Sequence, residues 1–257
     1  MLVLDLCNKR FIVIGAGGLL GREVVAALLN SGAEVVALDL NIDLLYSKLV
    51  SISIDIEQSN LTLASLDITN EKDVKMFFSL QDPLDGAVNC AYPRNSSYGA
   101  HFFDVTLQSF NENVALNLGS TFLFTQQCAA YFVKQKKNFS LVNISSIYGV
   151  TAPSFDVYQN TSMTTPVEYA AVKSSLIHLN KYVAAYVNNS NFRINSVSPG
   201  GLLDGQSESF LLKYKEKTLG HGMLQSSDIL GTIKFLLSDS AQYINGQNIV
   251  VDDGFTL

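Results

Sequence analysis

Short apolar runs alternate with longer segments of helical periodicity along almost the whole chain. Segments with helical spacing occupy residues 19–30, 42–57, 69–80, 106–136, 166–188 and 227–237. The apolar runs are rich in Val, Ile and Leu and occupy residues 10–14, 34–39, 61–67, 84–91, 139–145, 192–198 and 248–251. Strands that alternate with helices form right-handed βαβ units, so the sequence predicts a doubly wound parallel α/β sheet with helices on both faces.

The alternation is less regular in two segments. Residues 51–56 alternate as a strand would, although they lie inside a predicted helix. Residues 201–217 show no clear period, and we expect the stretch 201–224 to form a lid over a substrate. The helix at 69–80 is predicted to begin with Thr69 as its cap.

The size and charge of the chain exclude several classes of protein. Its 257 residues are 47% hydrophobic and 16% charged, which predicts a single domain, residues 1–257, with one large core. The net charge of −6 gives no basic surface for nucleic acid or for an anionic membrane. Residues 113–133 carry no charge and are long enough to span a bilayer, but their many polar side chains favour a helix buried in a protein core.

The cysteines and the N-terminus indicate a cytoplasmic protein. Cys7, Cys90 and Cys128 are odd in number and widely spaced, so neither a disulfide framework nor a zinc site is expected. Asp5 interrupts the first apolar residues, so we expect no signal peptide. No cluster of His, Cys or acidic residues has the spacing of metal ligands, and we expect no metal.

Glycine, acidic, amide and hydroxyl residues collect at the carboxyl ends of the predicted strands. In parallel α/β sheets, ligands bind beyond these ends of the strands. The functional residues are therefore expected at residues 15–21, Asp39, Asp67, 89–92, 145–149 and 199–201.

A glycine-rich turn at residues 15–21 follows the first predicted strand and opens the first helix. Gly15, Gly18 and Gly21 permit a tight turn and let a phosphate approach the backbone, while the helix N-terminus attracts the anion. The spacing is GxxGxxG rather than the stricter GxGxxG of dinucleotide sites. A tight turn that binds no ligand is the alternative.

Asp39 ends the second predicted strand, 18 residues after Gly21. A carboxylate at this position accepts hydrogen bonds from the hydroxyls of an adenosine ribose and repels a 2′-phosphate. No Arg or Lys lies between Asp39 and Tyr46 to compensate that repulsion. The sequence therefore favours NAD over NADP, unless Asp39 is only a solvated loop acid or a helix cap.

Tyr169 and Lys173 lie four residues apart in a predicted helix, so both side chains share one face of it. A cation beside a phenol favours the phenolate and lowers the phenol pKa from about 10. The pair is therefore a candidate acid or base, although Tyr and Lys also occur at this spacing by chance.

Together these features resemble the short-chain dehydrogenase/reductase family in its single-domain form. The resemblance implies a Rossmann-like fold, an NAD-dependent dehydrogenase or reductase acting on a small molecule, and a dimer or tetramer. It covers essentially the whole chain, in the order glycine turn, Asp39, Leu66-Asp67-Ile68, Asn89-Cys90-Ala91, Asn117-Leu118, Asn143-Ile144-Ser145-Ser146, Tyr169 with Lys173, Ser198-Pro199-Gly200 and Asn245-Gly246-Gln247.

The resemblance also implies roles for single residues. Tyr169 would be the general acid/base, and Lys173 would bind the nicotinamide ribose and lower the pKa of Tyr169. Ser146, three residues before Gly149, would orient the substrate oxygen, and Asn117 would hold a water in a proton relay. A turn hydroxyl and a satisfied buried amide are the ordinary alternatives for Ser146 and Asn117. The implied cofactor contacts are Gly15, Gly18, Leu19, Leu20, Gly21, Asp39, Asp67, Ile68, Asn89, Ala91, Tyr169, Lys173, Pro199 and Gly200.

Three single positions depart from the family pattern. Ile14 stands where threonine usually opens the glycine turn. Tyr92 replaces a glycine, so an aromatic ring is expected to border the cofactor or the substrate. Asp204 replaces a threonine and lacks the hydroxyl that contacts the nicotinamide amide in the family.

The largest departure is an insert at residues 152–165, which lengthens the interval between Ser146 and Tyr169 by roughly ten residues. This region is similar to oxidoreductases of bacterial flagellin-glycosylation and surface-carbohydrate gene sets, including those associated with legionaminic-type acids. The donors and acceptors of the insert suit a polyol or sugar, and they belong to Asp156, Tyr158, Gln159, Asn160, Thr161, Ser162 and Thr164.

The expected substrate contacts are Ser146, Tyr92, Arg94, Tyr158 and Asn160. Arg94 and His101 are candidates to meet an anionic substrate, but the sequence favours a solvated arginine and a surface histidine at these two positions. Two activities besides net oxidation or reduction stay open, namely an epimerase or dehydratase that uses NAD transiently and a non-catalytic NAD-binding sensor.

Overall fold

The computed structural model describes residues 6–161 and 163–257, and in this part of the chain seven strands form one parallel sheet. The strand order β3-β2-β1-β4-β5-β6-β7 reverses direction between β1 and β4, which is the doubly wound arrangement that the sequence predicts. The strands are β1 Arg10–Ile14, β2 Glu34–Asp39, β3 Leu61–Ser65, β4 Gly86–Asn89, β5 Phe139–Ile144, β6 Phe192–Pro199 and β7 Asn248–Val251.

Helices cover both faces of this sheet. Apolar residues of α1 and α8 pack on one face, and apolar residues of α3 and α5 pack on the other. A π-helical turn, Ala115–Gly119, joins α4 to α5, so the predicted helix at 106–136 is one continuous helical path. The helices are α1 Leu19–Leu29, α2 Ile42–Ser51, α3 Glu71–Ser79, α4 Leu107–Val114, α5 Ser120–Gln135, α6 Val167–Val187, α7 Glu208–Lys215 and α8 Leu230–Leu237.

Two details of the predicted helices are wrong. The side chain of Asn70, not Thr69, caps α3, because its Oδ1 accepts hydrogen bonds from the N–H groups of Lys72 and Asp73. The helix α2 ends at Ser51 rather than near residue 57, and the left-handed backbone of Ser53, with φ of 64°, turns the chain away. The alternating residues 51–56 form neither helix nor strand beyond that point.

The irregular segment 201–217 contains the helix α7, which the sequence analysis did not predict. Ser207 caps it by accepting a hydrogen bond from the N–H of Phe210. Phe210 and Tyr214 are buried on its inner face, next to the 3₁₀ turn Phe155–Tyr158 of the insert. No helix in the described residues is both long and apolar enough to cross a membrane.

Candidate active site

A large cleft lies beyond the carboxyl ends of the central strands and has a volume of about 1190 Å³. The strand ends and the start of α1 form one end of it, and α6, the insert and α7 form the other. The cleft brings together most of the expected cofactor residues, namely Gly15, Gly18, Leu19, Leu20, Gly21, Asp39, Asp67, Ile68, Ala91, Tyr169, Lys173, Pro199 and Gly200.

The glycine turn between β1 and α1 requires glycine at two positions. Gly15 has φ of +76°, and a Cβ atom there would lie 2.7 Å from the backbone N of Ala91. A Cβ atom on Gly21 would lie 2.0 Å from the backbone O of Gly15, so the first turn of α1 packs directly on the glycine turn. Gly18, the N-cap residue of α1, has no side chain that could accept a hydrogen bond from the first turn. The N–H groups of its first turn therefore stay available for a phosphate.

The carboxylate of Asp39 ties the end of β2 to the glycine turn. Its Oδ2 accepts a hydrogen bond of 2.9 Å from the N–H of Gly17, and its Oδ1 accepts one of 2.8 Å from the N–H of Leu40. The sequence analysis did not predict the link to Gly17. Each carboxylate oxygen has two acceptor sites, so Asp39 retains capacity for the hydroxyls of a ribose.

Asp67 and Ile68 line the cleft just after β3. Asp67 Oδ1 accepts hydrogen bonds from both the N–H and the hydroxyl of Thr69, at 2.8 and 2.6 Å. These bonds fix the turn that leads into α3. Thr69 therefore stabilises the position of Asp67 and does not cap the helix.

Lys173 is buried one turn after Tyr169 in α6. Its Nζ donates a hydrogen bond of 2.8 Å to the carbonyl O of Ile144 and lies 5.7 Å from the centre of the Tyr169 ring. Burial lowers the pKa of Lys173 from 10.5 to about 8, although the nearby thiol of Cys90 opposes this change. The ammonium is thus held between the end of β5 and the phenol.

Tyr169 differs in one respect from the expectation. Burial raises the pKa of its phenol, the Ser146 hydroxyl acts in the opposite direction by hydrogen bonding, and Tyr158 raises the pKa further. The predicted lowering of the pKa by Lys173 does not appear, because the loss of water around the phenol is the largest effect. The structure therefore favours the protonated phenol.

The two neighbouring serines after β5 have different surroundings. Ser145 donates its hydroxyl hydrogen to the carbonyl O of Lys173 at 2.9 Å and so holds α6 against the sheet. Ser146 accepts a hydrogen bond from the N–H of Tyr148 and also interacts with the Tyr169 phenol. The geometry thus places Ser146, as expected, beside Tyr169.

Two expected residues lie outside the cleft lining. Asn89 is buried at the end of β4, where its Oδ1 accepts a hydrogen bond from the N–H of Ala91 and its Nδ2 donates to Asn143. Its side chain lies behind the cleft lining and orders the loop at Ala91, and its contact with a cofactor stays a prediction. Asn117 lies in the π-helical turn, and its buried Oδ1 has no hydrogen-bond partner among the described residues. A buried acceptor without a protein partner is a suitable position for a water.

Three large side chains of the loop after β4 border the cleft: Tyr92, Arg94 and Tyr98. The Tyr92 ring packs edge-on against Tyr169, with centroids 5.5 Å apart at 87°. The hydroxyls of Tyr92 and Tyr98 are hydrogen-bonded to each other. Burial is the main cause that raises the pKa of Tyr98. The sequence predicted Tyr92 and Arg94 as substrate contacts, and Tyr98 was missed. Its position close to two other large side chains after a strand end could have identified it.

The insert reaches the cleft with only part of its polar residues. Tyr158, Met163, Thr164 and Thr165 line the cleft. Asn160, an expected substrate contact, does not; it is exposed in a left-handed turn with φ of 64°. Three other expected donors of the insert also lie away from the cleft lining: Asp156, Gln159 and Thr161. Ser162 lies outside the described residues.

Two other residues named from the sequence lie away from the cleft. His101 is exposed at the start of a short 3₁₀ turn, in agreement with the surface position that the sequence favours. Asp204 also lies outside the lining, and its backbone N–H donates to the side chain of Gln206, which does line the cleft. Among the described residues, no group of three or more His, Cys, Asp or Glu side chains could hold a metal ion.

Comparisons with known proteins agree with this geometry. A family model described as enoyl-(acyl carrier protein) reductase matches residues 15–256. The post-translational flagellin modification protein A of Campylobacter coli is 34% identical over 97% of this chain and 99% of that protein. A 7alpha-hydroxysteroid dehydrogenase of Bacteroides fragilis is 28% identical over 97% and 95% of the two chains. A crystal structure of a short-chain dehydrogenase from Leptospira borgpetersenii with bound NAD+ is similar with a TM-score of 0.87, at 32% identity over 100% of this chain and 96% of that one.

Proposed function

The chain belongs to the short-chain dehydrogenase/reductase family, and on that premise we propose that it is an NAD-dependent oxidoreductase that interconverts a hydroxyl and a ketone on a sugar-like substrate. One observation carries the proposal. A single cleft joins a nucleotide-sized end, made by the glycine turn and Asp39, to a reactive end made by Ser146, Tyr169 and Lys173.

The residues of the cleft fit a nicotinamide dinucleotide. The glycine turn leaves room that a Cβ atom would fill, and the uncapped start of α1, with Gly18, Leu19 and Leu20, would hold the diphosphate. Asp39 would accept from the adenosine ribose, and Lys173 would bind the second ribose. The other contacts would come from Asp67 and Ile68 at the adenine, and from Ala91, Pro199 and Gly200 near the nicotinamide.

We propose NAD rather than NADP because of the charges at the nucleotide end. Asp39 and Asp67 are the charged residues there, and among the described lining residues no Lys or Arg lies beside them to bind a 2′-phosphate. The similarity to a dehydrogenase that contains NAD+ supports this choice.

The variant Asp39→Asn tests the cofactor choice, because it keeps an acceptor for the Gly17 N–H and removes the negative charge. We expect the preference of wild type for NAD over NADP in kcat/KM to fall by about tenfold or more in the variant. Wild type with equal kcat/KM for both cofactors would contradict the proposal.

The mechanism follows from the three residues at the reactive end. A nicotinamide held by Lys173, Pro199 and Gly200 would supply the acceptor for the hydride of the substrate C–H bond. Ser146 holds the substrate oxygen by a hydrogen bond, and the Tyr169 phenolate takes the proton from the substrate hydroxyl. To take that proton, Tyr169 must first lose its own, which its burial disfavours and which the Lys173 ammonium, with Nζ 5.7 Å from the ring centre, would favour. The unpartnered Oδ1 of Asn117 would hold a water that passes the proton on to solvent.

The lining of the reactive end supports a sugar-like substrate. Both aromatic rings and hydroxyl groups are present there, from Tyr92, Tyr98, Tyr148, Tyr158 and Thr164. A sugar presents apolar C–H faces and a rim of hydroxyls, and both find partners in such a lining. The similarity to a post-translational flagellin modification protein supports a sugar-related role.

We further propose that the insert 152–165 and the lid 201–224 form one substrate-facing unit of a single domain. The Tyr158 and Phe210 rings pack with centroids 5.3 Å apart, and Lys217 pairs with Asp156 at 2.6 Å. Lys213 Nζ also donates to the carbonyl O of Gln159 at 2.7 Å. These contacts support movement of both segments together when a substrate enters or leaves.

A panel of sugars and sugar derivatives, screened for NAD reduction and for the reverse reaction, tests the proposed activity. We expect net NADH formation with at least one polyhydroxylated substrate, and loss of it in Tyr169→Phe. Activity on apolar alcohols alone would contradict the sugar-like substrate. Product formed without net NADH would instead identify an epimerase or dehydratase.

We also propose that the enzyme is a cytoplasmic dimer or tetramer. Exposed apolar and aromatic side chains on two adjacent helices support the assembly: Phe122 and Val133 on α5, and Tyr182 and Tyr186 on α6. The rings of Tyr182 and Tyr186 stack with centroids 6.1 Å apart, which forms a flat exposed surface. Light scattering of the purified protein would test it, and a monomer at micromolar concentration would contradict it.

A further inference from the structure

The charged side chains that line the described part of the cleft are separated by sign. Asp39 and Asp67 lie at the nucleotide end, whereas Arg94 and Lys173 lie at the reactive end, beside Tyr169. No acidic residue described in the cleft lining accompanies these two cations. Lys173 is buried and bonded to the carbonyl O of Ile144, so Arg94 is the exposed cation that a substrate can reach.

Aromatic rings hold the side chain of Arg94. Its guanidinium carbon lies 5.5 Å from the centre of the Tyr92 ring and 6.0 Å from the centre of the Tyr98 ring. A guanidinium that interacts with rings through its flat face keeps its N–H donors free at the edge. Within the residues that the structure describes, Arg94 makes no ion pair.

The backbone next to Arg94 is anchored to a helix. The N–H of Asn95 donates to Oδ1 of Asn113 at 3.0 Å, and Nδ2 of Asn113 donates back to Oδ1 of Asn95, also at 3.0 Å. Asn113 is buried and also donates, at 3.4 Å, to Glu168, the residue before Tyr169. Glu168 is thus directed towards Asn113 and does not line the cleft. The anchored loop gives Arg94 a fixed position relative to Tyr169.

Arg94 and Tyr169 are close enough to contact the same small molecule. The Arg94 guanidinium carbon and the Tyr169 ring centre each lie 5.5 Å from the centre of the Tyr92 ring. The two groups are therefore separated by at most twice that distance. A hexose with its reacting carbon at Tyr169 and a charged substituent a few bonds away spans such an interval.

We propose that Arg94 binds an anionic group of the substrate, a carboxylate or a phosphate, so that the substrate class is an acidic sugar. This inference rests on the proposed function, because it takes the Tyr169 end of the cleft as the substrate site. Carboxylate and phosphate both present paired oxygens that match the edge of a guanidinium. The Tyr92 and Tyr98 rings would contact the sugar, and Arg94 would select the charged form.

Calorimetric binding to the protein saturated with NADH tests this subsite without turnover. The probes are glucose, mannose and galactose, each as the free sugar, as the 6-phosphate and as the C1 carboxylate. We expect the anionic form of at least one hexose to bind about 10- to 100-fold more tightly than the free sugar. The 6-phosphates and the carboxylates separate the two sources of charge.

Three variants test whether the preference for the anionic form depends on Arg94. Arg94→Met should abolish the preference for the anionic form, and Arg94→Lys should keep part of it, since a point charge replaces the paired donors. Lys134→Gln removes an exposed cation on α5, outside the cleft lining, and should leave the preference unchanged. Equal affinity for free and anionic sugars, no binding of any probe, or a preference that survives in Arg94→Met would overturn the proposal.

Turnover assays on the same probes separate this proposal from the proposed function. Binding of anionic sugars through Arg94 without any NAD-linked turnover would contradict the oxidoreductase activity and leave the subsite standing. Turnover of acidic sugars with KM and kcat unchanged in Arg94→Met would support the activity and refute the subsite. If both proposals hold, Arg94→Met raises KM for the acidic sugar about 10- to 100-fold, with a smaller change in kcat.

Discussion

The two ends of the cleft are built from different kinds of contact. At the nucleotide end, most of the surface comes from backbone groups and small residues, and these residues directly follow strand ends in the sequence. At the reactive end, large side chains from the loop after β4, the insert and α7 meet across long stretches of chain. The first end is specified by local sequence, and the second depends on packing between segments that only the fold brings together.

This difference predicts different tolerance to substitution. Gly21 packs on the backbone of Gly15, and the Asp39 carboxylate binds the N–H of Gly17, so these groups cannot move without moving β1, β2 or α1. By contrast, Tyr158, Phe210 and Tyr214 belong to a small apolar cluster outside the two main cores. A change there should alter substrate binding before it alters the fold.

The largest effect is expected from Gly21→Ala at the nucleotide end. The new Cβ atom would lie 2.0 Å from the backbone O of Gly15, and neither helix nor turn can shift cheaply. We expect a loss of more than about 3 kcal/mol in the free energy of unfolding, or no folded protein, as measured by urea denaturation. Gly231→Ala in α8 is the matched control, since a Cβ atom there meets nothing within 4 Å. Similar behaviour of both variants would show that the contact is not limiting.

A smaller effect, dependent on pH, is expected from Lys173 at the reactive end. The pKa of Lys173 is about 8 in the folded protein, mainly because of burial, compared with 10.5 for an ordinary lysine, the value we use for the unfolded chain. The unfolded chain therefore binds one more proton between these two pH values. The stability of wild type relative to Lys173→Met should be constant below about pH 8 and then rise by about 1.4 kcal/mol per pH unit.

Urea denaturation of wild type and Lys173→Met at pH 7.5 and pH 9.5 checks this sign, since titration of the other groups is common to both proteins. A stability difference that falls as the pH rises would mean that Lys173 is not held in a desolvated site.

The smallest of the three effects is expected from Tyr158→Ala in the insert. The substitution removes the ring contact with Phe210 and the hydrogen bond that Tyr158 donates to the Tyr148 hydroxyl at 3.2 Å. We expect KM for the sugar substrate to rise about tenfold, while the dissociation constant for NAD changes less than about twofold. Steady-state kinetics and NAD titration of the same sample measure both. A parallel loss of NAD affinity would mean that the two ends of the cleft are not independent.

The same contrast between the two ends explains which features could be predicted from the sequence alone. Periodicity predicted the sheet and most helices, because burial on both faces of a parallel sheet imposes apolar strands and amphipathic helices. The glycine turn and Asp39 were also predicted in place, since they follow strand ends directly. The helix α7 was missed because its buried residues, Phe210 and Tyr214, face the insert rather than the sheet.

The contents of the reactive end could not be predicted in the same way. The polar residues of the insert looked equivalent in the sequence, but Tyr158 faces the cleft whereas Asp156 pairs with Lys217 at the surface. The pKa of Tyr169 was expected to fall, yet burial by its neighbours raises it. Both outcomes depend on which side chains enclose a group, and that is set by contacts distant in the sequence.

The variant Tyr169→Phe tests most directly whether proton transfer at the reactive end is separate from NAD binding at the nucleotide end. With saturating NAD and the sugar that gives the highest turnover, we expect kcat to fall by about 10²- to 10⁴-fold, because the group that takes the proton is lost. The dissociation constant for NAD, measured on the same sample, should change less than about twofold. An unchanged kcat, or a loss of activity explained by weaker NAD binding, would contradict the assignment of proton transfer to Tyr169 at the reactive end.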